Sequence, residues 1–71
     1  MEFKICQQIA RLSAPNNGWV KELNLISWGE REPVYDIRTW TEDHRRYGKG
    51  VTPAAGEMVR LKRALLEKQV F

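Results

Sequence analysis

Two residues spaced two apart carry the clearest chemical potential in this sequence. Arg38 and Trp40, with only Thr39 between them, fall on the same side of any extended segment, because alternate residues of a strand share a face. A guanidinium beside an indole suits a polyanion with aromatic bases: charge tracks the backbone while the ring stacks, at ~1–3 kcal/mol per base. Arg45, Arg46, Tyr47 and Lys49 follow within a few residues and extend the cationic surface. A structural reading stands beside this one. Arg38 can pair with Asp36 on the same face, and Trp40 can cap the edge of a core.

Catalytic chemistry finds less material. His44 has no Ser or Cys nucleophile placed around it, since Cys6 falls in the interior pattern of the first strand. The carboxylate pairs Glu30/Glu32 and Glu42/Asp43 lie in loops rich in Arg, where solvated ion pairs account for them. Gly48-Lys49-Gly50 lacks the spacing and the following Ser or Thr of a nucleotide-binding loop, although glycines beside Lys49 allow a close backbone approach to a phosphate. With one cysteine and one histidine, a thiolate-rich zinc site is excluded. No catalytic residue, metal or cofactor is expected, and no small-molecule substrate.

These side chains must be positioned by a very small scaffold. Seventy-one residues form a single domain, expected to span 1–71, that buries only ~60% of the surface its unfolded chain exposes. Chains of this size lean on disulfides, metals or partner chains. A lone Cys6 rules out an internal disulfide, so self-association is the remaining aid. The net charge of +3 is a mild lean toward anionic partners. No apolar run approaches the ~20 residues of a membrane span, and the first residues lack a signal-peptide pattern. A soluble, cytoplasmic protein is expected.

The elements read as four strands and a helix. Residues 2–13 form one long strand with a bulge near Gln7-Gln8, or alternatively a short helix over 7–12. Asn17-Gly18 supplies a tight turn, because both types tolerate positive φ. Residues 19–28 make the second strand, in which Leu23 and Leu25 mark the core side. Gly29 to Pro33 is a second polar hairpin loop. The third strand covers 34–41. Its Tyr35 and Ile37 are expected inside, with Arg38 and Trp40 on the open face. A short fourth strand over 49–52 leads to Thr52-Pro53, read as N-cap and first helical residue, with the helix running to about Gln69.

That helix has two apolar sides. Ala54, Met58, Leu61, Ala64 and Leu65 form one stripe and Val59, Leu66 and Val70 another, together an arc of roughly 240° where one docking surface needs ~100°. Such a helix wants its own sheet on one side and a second copy on the other. Val59, Leu66 and Val70 are therefore the expected dimer contacts. The fold class is α+β: a curved four-stranded antiparallel sheet, then one C-terminal helix, dimerising.

Two stretches carry a family resemblance that covers about residues 3 to 70. Tyr35-Asp36-Ile37-Arg38-Thr39-Trp40, followed by Gly48-Lys49-Gly50-Val51-Thr52, resembles the single-stranded-DNA-binding domain of the positive-cofactor-four transcriptional coactivators. Asn17 to Trp28 is similar to a bacterial branch of that family. The resemblance implies a homodimer, associated mainly through its helices, whose curved sheets bind single-stranded DNA or melted duplex without reading sequence. It implies a role linked to transcription regulation or DNA maintenance. Carried over, the strand-three arginine falls on Arg38, the loop cation on Arg45, the basic residue entering the fourth strand on Lys49 and the second-strand basic residue on Lys21. Aromatic positions fall on Trp28 and Trp40. Arg46 joins this set from the same loop, and Lys4, Trp19 and Tyr47 are further candidates, Trp19 serving either the bases or the core. The chain departs from the family pattern in placing Glu30 and Glu32 where basic residues are common. Two other uses of the same face stay open: RNA binding, and docking of a protein through the exposed aromatics.

Overall fold

The computed structural model describes residues 2–69; Val70, one of the three expected dimer contacts, lies outside them. Strands β1 (Phe3–Arg11), β2 (Trp19–Trp28), β3 (Val34–Thr41) and β4 (Tyr47–Val51) pair antiparallel in the order β1-β2-β3-β4, and helix α1 (Ala55–Lys68) follows. The strand bounds of β2 and β3 match those read from the sequence. The β1–β2 turn is built as its composition requires. Asn17 and Gly18 both have positive φ, 53° and 82°, and Asn16 and Trp19 exchange backbone hydrogen bonds of 2.8 and 3.0 Å across them. Positive φ at both central residues is the turn that matches the twist of a hairpin.

β1 is a strand along its whole length, and it carries two register shifts rather than the single bulge expected. The shifts fall between Ile5 and Gln7 and between Gln8 and Ala10. Each bulge bends the strand and strengthens its twist, and the sheet curls accordingly. β1 and β4 are opposite edges, ~14 Å apart in a flat sheet. Yet the rings of Phe3 in β1 and Tyr47 in β4 lie 5.7 Å apart.

This curl reverses the expected faces. Val20, Glu22, Asn24 and Ile26 of β2, with Asp36 and Trp40 of β3, are the buried residues. Leu23, Leu25, Tyr35 and Ile37 are only half-buried. The sheet closes around its own concave side, which takes Trp40 out of water completely (0% exposed). The open face expected for Trp40 is therefore corrected: it is core. Cys6, expected inside, is exposed.

The β3–β4 connection also differs. β4 begins at Tyr47, two residues before the expected start, because a bulge absorbs Gly48 and Lys49: Arg38 pairs with Gly50 and Trp40 with Tyr47. Gly50 is required there. A Cβ on Gly50 would collide with the Ile37 carbonyl and sit 2.9 Å from Arg38 Cα, and one on Gly48 would strike the Thr39 hydroxyl.

α1 starts at Ala55, not Pro53. Thr52 is not its N-cap, since the Thr52 hydroxyl donates to Asp36 Oδ2 at 3.1 Å. Instead the Glu57 carboxylate accepts from the Ala54 N–H at 2.7 Å, one half of a reciprocal cap. The helix lies over the convex side of the sheet. A groove of about 420 Å³ runs between them, lined by Leu23 and Ile37 below and Met58, Leu61, Leu65 and Leu66 above. No helix residue is buried. Val59 and Leu66, the two expected dimer contacts within the described residues, are 50% and 67% exposed.

Candidate functional site

The concave side gathers aromatics from all four strands. Phe3 packs against Trp28, Trp40 and Tyr47 at centroid distances of 5.1–5.8 Å, and Trp28 meets Tyr47 edge-on at 5.2 Å. Such tilted and edge-to-face contacts suit the ring quadrupoles. Trp40 is the floor of this cluster. Trp28, half-buried, and Tyr47, 38% exposed, form its rim.

Arg38 is threaded through the cluster. Its Cζ lies 4.7 Å from the Trp28 ring and 5.5 Å from the Tyr47 ring, within cation–π range. Its Nε and Nη2 donate to Asp36 Oδ1 and Oδ2 at 2.6 and 2.8 Å. Asp36 is 0% exposed and Arg38 14%, so both readings of Arg38 hold together: it pairs with Asp36 and it meets the aromatics. Thr52 donates to the same carboxylate, tying the segment before α1 to the site.

Next to this cluster opens a cleft of about 540 Å³, bounded by Trp28, Arg31, Glu32, Val34, Arg38, Tyr47 and Thr52. Trp28, Arg38 and Tyr47 are thus brought together as the sequence suggested. Arg31, Glu32, Val34 and Thr52 were missed. The hairpin loop reads as a solvated connection, yet it borders the cleft directly, between Trp28 and Val34. Phe3 was missed as well, although its register opposite Trp28 gives it its place.

The other candidates fall elsewhere. Lys4 and Lys21 are exposed and sit opposite Ser27 and Thr39, on the sheet face turned away from Arg38. Trp19 pairs with Thr41 on that same face and is half-buried beneath the Arg46 guanidinium, 5.9 Å from its ring. Neither pure alternative for Trp19, free stacking surface or closed core, describes this position. Lys49 is exposed in the β4 bulge.

The β3–β4 loop is held firmly for a polar segment. His44 takes a positive φ of 59°, uncommon outside glycine, and its Nε2 lies 2.9 and 3.0 Å from the two oxygens of buried Glu22. Asn24 Nδ2 donates to the same carboxylate at 3.1 Å. On the exposed side, the Arg45 N–H and the Thr41 hydroxyl donate to Asp43 Oδ1 at 3.0 and 2.8 Å. These bonds, the backbone one first, hold the Asp43 carboxyl below its ordinary range. Arg45 itself projects into solvent, 86% exposed, 4.0 Å from Asp43. No helix among the described residues is long and apolar enough to cross a membrane.

Over 60 residues, 84% of this chain and 71% of its counterpart, the sequence is 42% identical to an uncharacterized protein of Treponema pallidum (strain Nichols). The chain belongs to that protein's family. No family model matches the sequence.

Proposed function

We propose that the protein binds single-stranded nucleic acid, DNA foremost, as a homodimer in the cytoplasm, in the service of transcription regulation or DNA maintenance. One observation carries the reading: Trp28 and Tyr47 rim a cleft of about 540 Å³ with the Arg38 guanidinium set between them. Aromatic rims of this kind stack bases, and the exposed Arg45 and Lys49 of the adjoining loop and bulge supply charge for the backbone; Arg46, over Trp19 on the other face, stands apart from the cleft. The positive-cofactor-four resemblance of Tyr35–Trp40 and Gly48–Thr52 supports the same use. Buried Trp40 then acts as the support beneath the rim, and Lys4 and Lys21 are left outside the cleft.

The helix supports the dimer. A chain this short has little core, and α1 leaves Val59, Leu61, Leu65 and Leu66 between 39% and 67% exposed. A second copy of the same face is the occupant that covers them symmetrically.

Fluorescence anisotropy with an oligo-dT strand and a duplex of equal length, over a salt series, tests the binding. The single strand is expected to bind tighter and to quench Trp28. Two phosphate contacts per protomer give a log–log salt slope of about −1.4. Charge reversal at Arg45 and Lys49 abolishes binding without disturbing the fold. Arg38 is a poor choice for that test, because replacing it strands buried Asp36. Equal binding to both forms, or none, refutes the proposal. Binding of a protein that survives the charge reversal points instead to a docking module.

A further inference from the structure

We infer that the Trp28–Tyr47 cleft takes a nucleobase rather than a phosphate, and that Glu32 makes it favour bases bearing an exocyclic amino group over thymine. The inference rests on the single-strand reading above and names what enters that site. A phosphate is poorly served there. Arg38, the cation beside the aromatic rim, already spends Nε and Nη2 on buried Asp36, so the pair offers almost no net charge. Glu32 lines the same cleft and has no ion-pair partner among the described residues. Its charge offsets that of Arg31, which lines the same cleft, so no net positive charge remains there to hold a phosphate.

A base meets the opposite situation. Trp28, Tyr47 and Val34 offer apolar walls, the two rings tilted 64° to one another, and the cleft, about 540 Å³, falls within the size range of small-ligand sites. The plane of the Arg38 guanidinium stacks on a ring without needing its charge free. Glu32 can only accept hydrogen bonds when ionised. It therefore suits an edge that donates: N4 of cytosine, N6 of adenine or N2 of guanine. Thymine turns its O4 carbonyl to the same place and is repelled. Carboxylate side chains read cytosine N4 in this way in duplex grooves.

The test compares dC and dT oligomers of one length at mildly alkaline pH, where cytosine is unprotonated. The two pyrimidines differ little in stacking area, so the contrast isolates the donor edge. The native protein is expected to hold dC about fivefold tighter, the lower end of the discrimination for one base contact. Glu32→Ala should remove the preference and tighten dT binding. Glu32→Gln, which can also donate to O4, should level the two oligomers. Glu32 is exposed, so both variants keep the fold, verified by thermal melting. Equal dC and dT affinity in the native protein, or a preference that persists in Glu32→Ala, overturns the base assignment while leaving single-strand binding intact. Absence of binding to either oligomer overturns both.

Discussion

Replacing Asp36 with alanine should come close to unfolding this protein. Asp36 is 0% exposed and receives two hydrogen bonds from Arg38, itself 14% exposed, and a third from Thr52. Removing the carboxylate leaves a guanidinium lodged among Trp28 and Tyr47 with no counter-charge, a loss of about 3–5 kcal/mol for a buried pair broken on one side. The lower end applies here, because Arg38 keeps some access to water. At ~0.05–0.15 kcal/mol per residue the whole chain is worth roughly 4–10 kcal/mol, so a third or more of its stability rests on this contact. Urea titration followed by tryptophan fluorescence measures it, at one fixed protein concentration because association adds to apparent stability. With a denaturant slope near ~1 kcal/mol/M, the midpoint should fall by about 3 M. Thr52→Val, which removes one donor from Asp36, should cost only ~1 kcal/mol. The double variant Asp36→Ala/Arg38→Met removes the stranded charge and should recover most of the loss. An Asp36→Ala midpoint near that of the native protein, or a double variant no better than the single, would falsify the claim that an unpaired charge is what destabilises it.

Two further outcomes are expected. In sedimentation at micromolar concentration the native chain should run as a dimer and Leu66→Asp as a monomer, since Leu66 is 67% exposed on the helix. A native chain that is a folded monomer contradicts the proposed helix-face dimer. The Asp43 carboxyl should titrate below the ordinary aspartate range, because the Arg45 N–H and the Thr41 hydroxyl favour its ionised form. A group with a lowered folded pKa stabilises above its unfolded pKa and loses that contribution as pH falls through the folded one. The loop bonds should thus be intact at neutral pH and released only in acid. Carbon-detected NMR of Asp43 and its return toward the ordinary value in Thr41→Ala provide the check.

Much of the local structure was legible because its causes are local. The alternation across 19–28 and 34–41 located β2 and β3, and Asn17-Gly18 located the turn whose positive φ values only such residues accept easily. The excess of apolar surface on α1 was equally visible, as Val59 and Leu66 confirm by their exposure. Arg38, Trp28 and Tyr47 were all named as candidates, and they do converge.

What the sequence could not decide was which side of the sheet becomes the core. Counting apolar residues on β2 favours Leu23 and Leu25 over a face that reads Val20, Glu22, Asn24, Ile26. Burial went the other way because the bulged sheet curls onto its concave side, bringing Phe3 to Tyr47 and sealing Trp40 beneath them. Curvature is a property of the paired strands together, and no single strand's periodicity records it. Two of the polar residues drawn inside find partners distant in sequence, Glu22 in His44 and Asp36 in Thr52 as well as nearby Arg38, while Asn24 bonds Glu22 two residues away and leaves its Oδ1 unpartnered. The same long-range bond took Thr52 from the helix cap, and strand proximity fixed glycine at 50. Sequence alone thus determined the elements and the chemistry they carry. The tertiary structure decided which of those residues share a cleft, because hydrogen bonding and packing across the curl set that choice.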